Sequence, residues 1–278
     1  MLRKIFVLAM ACSFLQSTGC SKKDVTQYMT SREHFEYAMK FFNKKNWTSA
    51  QEQFSLITYK YSGSDIADDA QFYLAESYYR QKDWVSASSE FERMVSSYPK
   101  SEFIEKSMYQ LALCYIELSP GFALDQKFTY QAQNAIQNFI DLFPRSELRT
   151  EMDKHYKSVK DKLARKHFES AQIYRKISEF EAAIVYYDQV ITDYYDSPYA
   201  MQAKYWKGYC NYKIEEFQKA QILLKKFIDE YPLEKEWVTD ALETLEDIKK
   251  DELKAQAKAA KEAKLVKPEQ STSVKSAN

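Results

Sequence analysis

Apolar and polar positions along most of this chain recur with the period of amphipathic helices, and a longer pattern repeats on top of that period. A small residue is followed nine positions later by an aromatic residue and twelve positions later by alanine, first at Ala38, Trp47 and Ala50. Small side chains at such positions let two antiparallel helices cross closely, and the aromatic rings fill the space towards the next pair. The same order recurs at Ala75, Trp84 and Ala87, at Ala171, Phe180 and Ala183, and at Gly208, Phe217 and Ala220.

A fifth copy of this pattern is interrupted by an insertion. Ala112 and Ala132 occupy its two small positions, and "SPGFALDQ" accounts for about eight extra residues between them. One helix pair cannot bury its apolar face alone, so pairs of this kind stack side by side. The pattern resembles the tetratricopeptide repeat and predicts an all-α fold, a superhelical array of five tetratricopeptide-like helix pairs. The scarcity of Gly and Pro, with four and six residues, agrees with long helices.

Residues 147–177 depart from the repeat and contain neither Gly nor Pro. Their apolar positions recur at helical spacing, which predicts one helix of about 30 residues, roughly 45 Å long at about 1.5 Å per residue. This elongated helix between repeats three and four would join the N-terminal repeats 1–3, residues 30–146, to a C-terminal group. The C-terminal group, residues 147–250, would hold the long helix and repeats 4–5. A rigid spacer of this kind would present two separate surfaces.

The first residues predict export and a lipid anchor. Arg3 and Lys4 precede an apolar run that is too short to span a membrane, and small residues follow it, so residues 1–19 are interpreted as a secretory signal peptide. Ser17-Thr18-Gly19-Cys20 resembles a bacterial lipobox, whose cysteine carries a diacylglycerol and an N-acyl chain such as palmitate. Cys20 would then begin the mature chain, with residues 20–29 as a lipid-anchored linker. The alternative is ordinary cleavage followed by a chance cysteine.

Charge and motifs argue against several classes of function. Lys plus Arg balance Asp plus Glu at 40 each, so no net field recruits nucleic acid. The three histidines, His34, His155 and His167, match no zinc-binding spacing, and no Gly-rich phosphate loop or serine-hydrolase motif occurs. We therefore predict a protein that is not an enzyme and has no metal and no cofactor beyond the lipid on Cys20. We expect residues 251–278 to form a basic, partly disordered tail, in which helix formers predict a frayed single helix to about Leu265 and disorder after Pro268.

Four local motifs narrow the resemblance. They are Asp125-Gln126 in the insertion, "FPRSE" at 143–147, Leu163-Ala164 followed by Lys166, and "FEAAI" at 180–184. Together with the lipobox, the five helix pairs and the elongated helix, they make the chain similar to the BamD family. That family comprises outer-membrane lipoproteins that are tetratricopeptide-repeat subunits of the β-barrel assembly machinery. The chain departs from the family's pattern at Leu124, His167 and Tyr186.

The resemblance implies a non-enzymatic lipoprotein anchored at the periplasmic face of the outer membrane. Its partners would be the barrel subunit, other assembly lipoproteins and unfolded outer-membrane proteins. The N-terminal repeats would bind the unfolded substrates, and the C-terminal repeats would dock to the barrel subunit's periplasmic domains. The substrate-groove candidates are Phe35, Phe42, Phe72, Tyr79, Tyr109, Asp125 and Gln126. The partner-docking candidates are Tyr186, Tyr212 and Lys213.

Two questions stay open at the level of sequence. An aromatic residue stands three positions before the first small residue of every copy, and this stripe either faces a ligand or fills the core between repeats. The function also has an alternative, another periplasmic repeat-scaffold lipoprotein that coordinates envelope or cell-wall division complexes. A hydrolase hidden in the groove would instead require a cluster of perturbed carboxylates in a closed pocket.

Overall fold

The computed structural model describes residue 26 and residues 28–265, except the side chains of residues 263–265. Over this part of the chain the structure consists of helices and turns, without a strand. The predicted signal peptide, Cys20, most of the predicted linker and residues 266–278 lie outside the described residues. The helices are α1 (Ser31–Asn43), α2 (Trp47–Lys60), α3 (Ala67–Arg80), α4 (Trp84–Ser97), α5 (Ile104–Leu118), α6 (Lys127–Leu142), α7 (Arg149–Lys176), α8 (Phe180–Asp193), α9 (Ala200–Lys213), α10 (Phe217–Glu230) and α11 (Lys235–Leu265).

Each helix packs on the next one along the chain, from α1 on α2 to α10 on α11. Short turns join these neighbours, so they run antiparallel. The five predicted pairs are confirmed as α1 with α2, α3 with α4, α5 with α6, α7 with α8, and α9 with α10. Helix α11 follows the last pair and runs to Leu265, where the sequence predicted the end of the helix.

The turn inside four of the pairs has one shared backbone geometry. Its central residue takes a left-handed φ between 57° and 65°, which a residue with a Cβ rarely adopts. Two residues later the second helix begins with the aromatic residue of the repeat pattern. In the first two pairs, Asn46 and Asp83 accept a hydrogen bond from the backbone N–H three residues on and so cap that helix. The left-handed residues are Lys45, Lys82, Ser178 and Glu215.

The long helix is confirmed as α7, with 28 residues. Up to its middle, it contributes Met152, Val159 and Leu163 to the core of the third pair. Its second half contributes Phe168 and Ala171 to the core of the fourth pair. Helix α7 therefore takes part in both cores, because its length lets one helix serve both.

The small residues of the repeat lie where the helices cross, as the pattern predicts. Their side chains are fully buried, and each pair builds its own apolar cluster around them. The closest crossing is at Gly208 in α9, where a Cβ would lie 2.8 Å from Leu224 Cδ2 and 2.9 Å from Leu224 Cγ of α10. Leu224 is itself fully buried and cannot swing into solvent.

We expect Gly208→Val to lower the free energy of unfolding by about 1–3 kcal/mol, because added methyl groups would overpack a closed crossing. Gly63→Val is the matched control, since no atom lies within 4 Å of a Cβ built at Gly63. Urea unfolding followed by circular dichroism measures both. Equal stability of the two variants would contradict the close crossing of α9 and α10.

Candidate partner-binding surfaces

The aromatic stripe of the N-terminal repeats belongs mainly to the core. The Phe35 and Phe42 rings both contact Tyr73 of α3, at centroid distances of 5.7 and 5.1 Å. Phe72 is 1% exposed, and its ring stacks on Phe103 at 4.4 Å. Of the two interpretations of the stripe, the structure therefore supports inter-repeat packing, and it takes Phe72 out of the set of side chains that a ligand could reach.

Tyr79 and Tyr109 are half-buried and keep part of their surface in solvent. The Tyr79 ring packs edge-on against Trp84 at 5.1 Å, and the Tyr109 ring lies 6.2 Å from Phe139. Burial, followed by the nearby Glu151 carboxylate, raises the pKa of Tyr109 to about 12, so its hydroxyl stays protonated at neutral pH. Both tyrosines can offer a ring edge and a hydroxyl to a bound chain while their other side stays packed.

A buried polar group links the second and third repeats, and sequence reasoning missed it. Glu76 of α3 is 2% exposed and accepts a short hydrogen bond from Gln110 Nε2 of α5. Its carboxylate also pairs with Arg80 at 2.7 Å, whose side chain is 55% exposed. This bond connects α3 with α5, and the contacts of Phe35 and Phe42 with Tyr73 connect α1 with α3. The first helices of the three N-terminal pairs are therefore neighbours. A Glu and an Arg four residues apart are ordinary on a helix surface, so the sequence carried no signal of burial.

The insertion is clamped onto α7 instead of projecting freely. Gln126 is 5% exposed and donates from Nε2 to the carbonyl oxygens of Gly121 and Leu124, both at 2.9 Å. Lys166 Nζ of α7 donates to the Ala123 carbonyl at 3.1 Å. Asp125 is exposed, and its Oδ1 accepts from the Lys127 N–H where α6 begins. Gln126 thus shapes the loop from inside, and Asp125 leaves one carboxylate face open to solvent.

A cleft of about 390 Å³ lies between this insertion, α7 and α8. His167 Nε2 is 3.1 Å from the Tyr130 hydroxyl, and its imidazole stacks on Tyr194 at 5.7 Å. The Tyr186 ring stacks on Tyr174 at 5.3 Å and lies 6.3 Å from the imidazole of His167. Burial lowers the pKa of His167, so the imidazole is neutral at neutral pH. We call this site the insertion cleft; Ala123, Leu124, Asp125, Gln126, Tyr130, Lys166, His167, Ser170 and Tyr186 line it.

The three partner-docking candidates do not form one surface. Tyr186 belongs to the insertion cleft, whereas Tyr212 and Lys213 lie at the end of α9 against α11. The Tyr212 hydroxyl donates to Asp251 Oδ2 at 2.8 Å, and burial followed by this carboxylate raises the pKa of Tyr212 to about 12. Lys213 Nζ lies 4.9 Å from the centre of the Tyr212 ring. Sequence alone grouped them by chain position, while the structure groups Tyr186 with Asp125 and Gln126.

No part of the described chain offers a group of three His, Cys, Asp or Glu side chains placed to hold a metal ion. Nor does any helix among the described residues combine the length and apolarity needed to cross a membrane.

Comparison with known proteins identifies the family. The model of the family described as "YfiO: Outer membrane lipoprotein" matches residues 27–203. The chain belongs to this family of outer membrane lipoproteins, the BamD family that the sequence motifs indicated. A tetratricopeptide-repeat family model matches residues 202–233, within the fifth pair. No curated protein gives a significant match.

Solved structures of repeat proteins are similar to this chain at low identity. The TPR domain of P58(IPK) shares 16% identity over 80% of this chain, with a TM-score of 0.41. This chain spans 56% of that one, little more than half its length. A TPR repeats protein from Bacteroides fragilis shares 13% identity over 79% of this chain and 98% of its own, with a TM-score of 0.41. The TPR2AB domain of yeast Sti1, in complex with pHSP90, shares 15% identity over 84% of this chain and 95% of its own, with a TM-score of 0.37.

Proposed function

We propose that this protein is a non-enzymatic scaffold of the machinery that assembles β-barrels in the outer membrane, anchored at the periplasmic face by lipid on Cys20. The N-terminal repeats would bind unfolded outer-membrane proteins, and the insertion cleft with the C-terminal repeats would dock to the barrel subunit's periplasmic domains. The observation that carries the proposal is the match of residues 27–203 to the outer membrane lipoprotein family. A lipoprotein built from stacked helix pairs has extended surfaces for other polypeptides, which suits an assembly scaffold.

The insertion cleft is the surface we assign to the barrel subunit. Leu124, His167 and Tyr186, the three positions where the chain departs from the family's pattern, all line it. Because all three differences from the family's pattern lie in one cleft, we infer that the side chains that contact the partner changed together. The cleft offers the neutral imidazole of His167, the ring of Tyr186 and the side chain of Leu124, which is 63% exposed. The partner should therefore present apolar or aromatic side chains to this cleft rather than a row of carboxylates.

Tyr186→Ala tests this assignment. We expect it to weaken binding to the purified periplasmic domains of the barrel subunit by about 30-fold, the effect of losing an aromatic hot spot. Val185→Ala is the matched control, because Val185 directly precedes Tyr186 in α8, is 57% exposed and does not line the cleft. Calorimetric titration of both variants gives the two affinities. Equal affinities would remove the insertion cleft from the docking surface.

For substrate capture, we select the half-buried Tyr79 and Tyr109 and the exposed Arg80 guanidinium. Unfolded barrel segments carry alternating aromatic and apolar side chains, which such a surface can contact without sequence-specific pockets. A photo-crosslinker at position 80 should capture an unfolded outer-membrane protein, and one at Leu56, exposed on α2, should not. Recovery of cell-wall enzymes instead of a large barrel protein in a pull-down would favour the alternative scaffold.

A further inference from the structure

Helix α11 extends well past the repeats that it closes. Ile248 is fully buried against the fifth pair, and Asp251 and Glu252 still bond to Tyr212 and Gln221 of that pair. Beyond Glu252 the helix continues for 13 residues to Leu265, a further 20 Å or so at about 1.5 Å per residue. Residues 253–262 are all exposed. This extension contributes little to the core, so its sequence is free to serve contacts outside the chain.

One stripe of lysines runs from the end of the packed part of α11 into this extension. Lys250, Lys254, Lys258 and Lys261 follow each other at intervals of four, four and three residues, which places them on one face of the helix. Since each residue advances the helix by about 100°, these lysines lie roughly 80–160° around the helix from the buried Ile248.

The first two lysines of this stripe form ion pairs with aspartates, and the last two form none in the part of the chain that the structure describes. Lys250 pairs with Asp247 at 3.1 Å, and Lys254 with Asp251 at 2.9 Å. Within the described residues, Lys258 and Lys261 form no ion pair. The printed sequence continues with Lys264 and Lys267 before Glu269. Cations complement a helix macrodipole only in the last turn, so the macrodipole does not account for a stripe that spans about three turns.

We propose that this lysine stripe binds the anionic phospholipid headgroups of the membrane surface and gives the protein a second attachment besides its N-terminal end. Apart from Leu253, residues 253–262 are Lys, Ala, Gln and Glu, so the helix can rest on headgroups but has no bulky apolar face to insert. Flexible lysines suit a diffuse negative surface, to which each contributes about a fivefold gain in affinity. Membership of an outer membrane lipoprotein family places the chain beside such a surface, and the proposal does not depend on the docking assignments above.

The test is sedimentation of the mature chain, residues 20–278, with phospholipid vesicles, with Cys20→Ala present throughout so that neither the predicted signal peptide nor an acyl chain contributes. We expect binding to vesicles that contain phosphatidylglycerol, little binding to pure phosphatidylcholine, and release at high salt. Lys258→Gln with Lys261→Gln should weaken binding about 25-fold. Lys40→Gln with Lys44→Gln is the control, because it removes the same charge from two exposed lysines at the end of α1, in the first helix pair of the array. This variant should leave vesicle binding unchanged.

Three results would overturn the proposal. The first is equal binding to both kinds of vesicle, and the second is an equal loss in the two double variants, which would indicate attraction by overall charge. The third is that the chain does not bind vesicles but binds an acidic protein, and that this binding is lost in the Lys258→Gln, Lys261→Gln variant. That result would assign the stripe to a protein partner. Unchanged melting curves of both double variants keep the comparison free of folding effects.

Discussion

Phe72→Ala should lower the free energy of unfolding by about 3–5 kcal/mol, as truncation of a buried Phe does. The ring is 1% exposed and lies between Phe91 and Phe103, with a centroid distance of 4.4 Å to Phe103. Urea unfolding followed by far-ultraviolet circular dichroism measures the loss.

Tyr59→Ala is the control for Phe72→Ala. It also removes an aromatic ring from a helix of the N-terminal repeats, but Tyr59 is 88% exposed. Its effect should stay within about 0.5 kcal/mol. If Phe72→Ala left stability unchanged and abolished substrate binding instead, Phe72 would be a substrate-binding residue. The packing interpretation of the stripe would then be wrong.

Glu76→Ala should cost about 3 kcal/mol, although it removes only one polar side chain. The change takes away a charge-assisted hydrogen bond and leaves the Gln110 amide, 5% exposed, without its acceptor. Arg80 loses its partner too, but its side chain is 55% exposed and water can solvate it. The same urea titration measures the effect, and Glu52→Ala, an exposed glutamate of α2, should be nearly neutral.

A double variant separates the hydrogen bond from the space that it fills. Glu76→Leu with Gln110→Leu replaces both buried partners by apolar side chains, and we expect it to recover most of the stability lost in Glu76→Ala. A double variant as unstable as Glu76→Ala would mean that the loss comes from packing of α3 on α5, and that the Glu76–Gln110 bond contributes little.

The architecture was predictable because its determinants are periodic. Small residues at fixed spacing have one structural use in a helical chain, the close crossing of two helices, so Ala38, Ala50 and Gly208 fixed the pairs and their order. The absence of Gly and Pro from residues 147–177 fixed the long helix to within two residues at its start and one at its end. Such local signals do not depend on what lies across the fold.

The candidate surfaces were predicted less well, because exposure and proximity depend on how helix pairs stack. Phe72 and Tyr79 lie seven residues apart on one helix, yet one is buried and the other half-open. Tyr186 seemed to belong with Tyr212 by chain position, but the clamp between the insertion and α7 brings it to Asp125. Glu76 showed no sequence feature that distinguishes a buried carboxylate from a solvated one.

The sequence by itself determined the helix pairs, the place of the long helix and the family, since each depends on spacings along the chain. Only the tertiary structure decided which side chains of those helices meet. It assembled Leu124, His167 and Tyr186 into one cleft, buried Glu76 between two repeats and aimed the lysines of α11 outwards. The physical reason is that contact between repeats is set by the angle and offset of stacked helices, and no single helix records these in its own sequence.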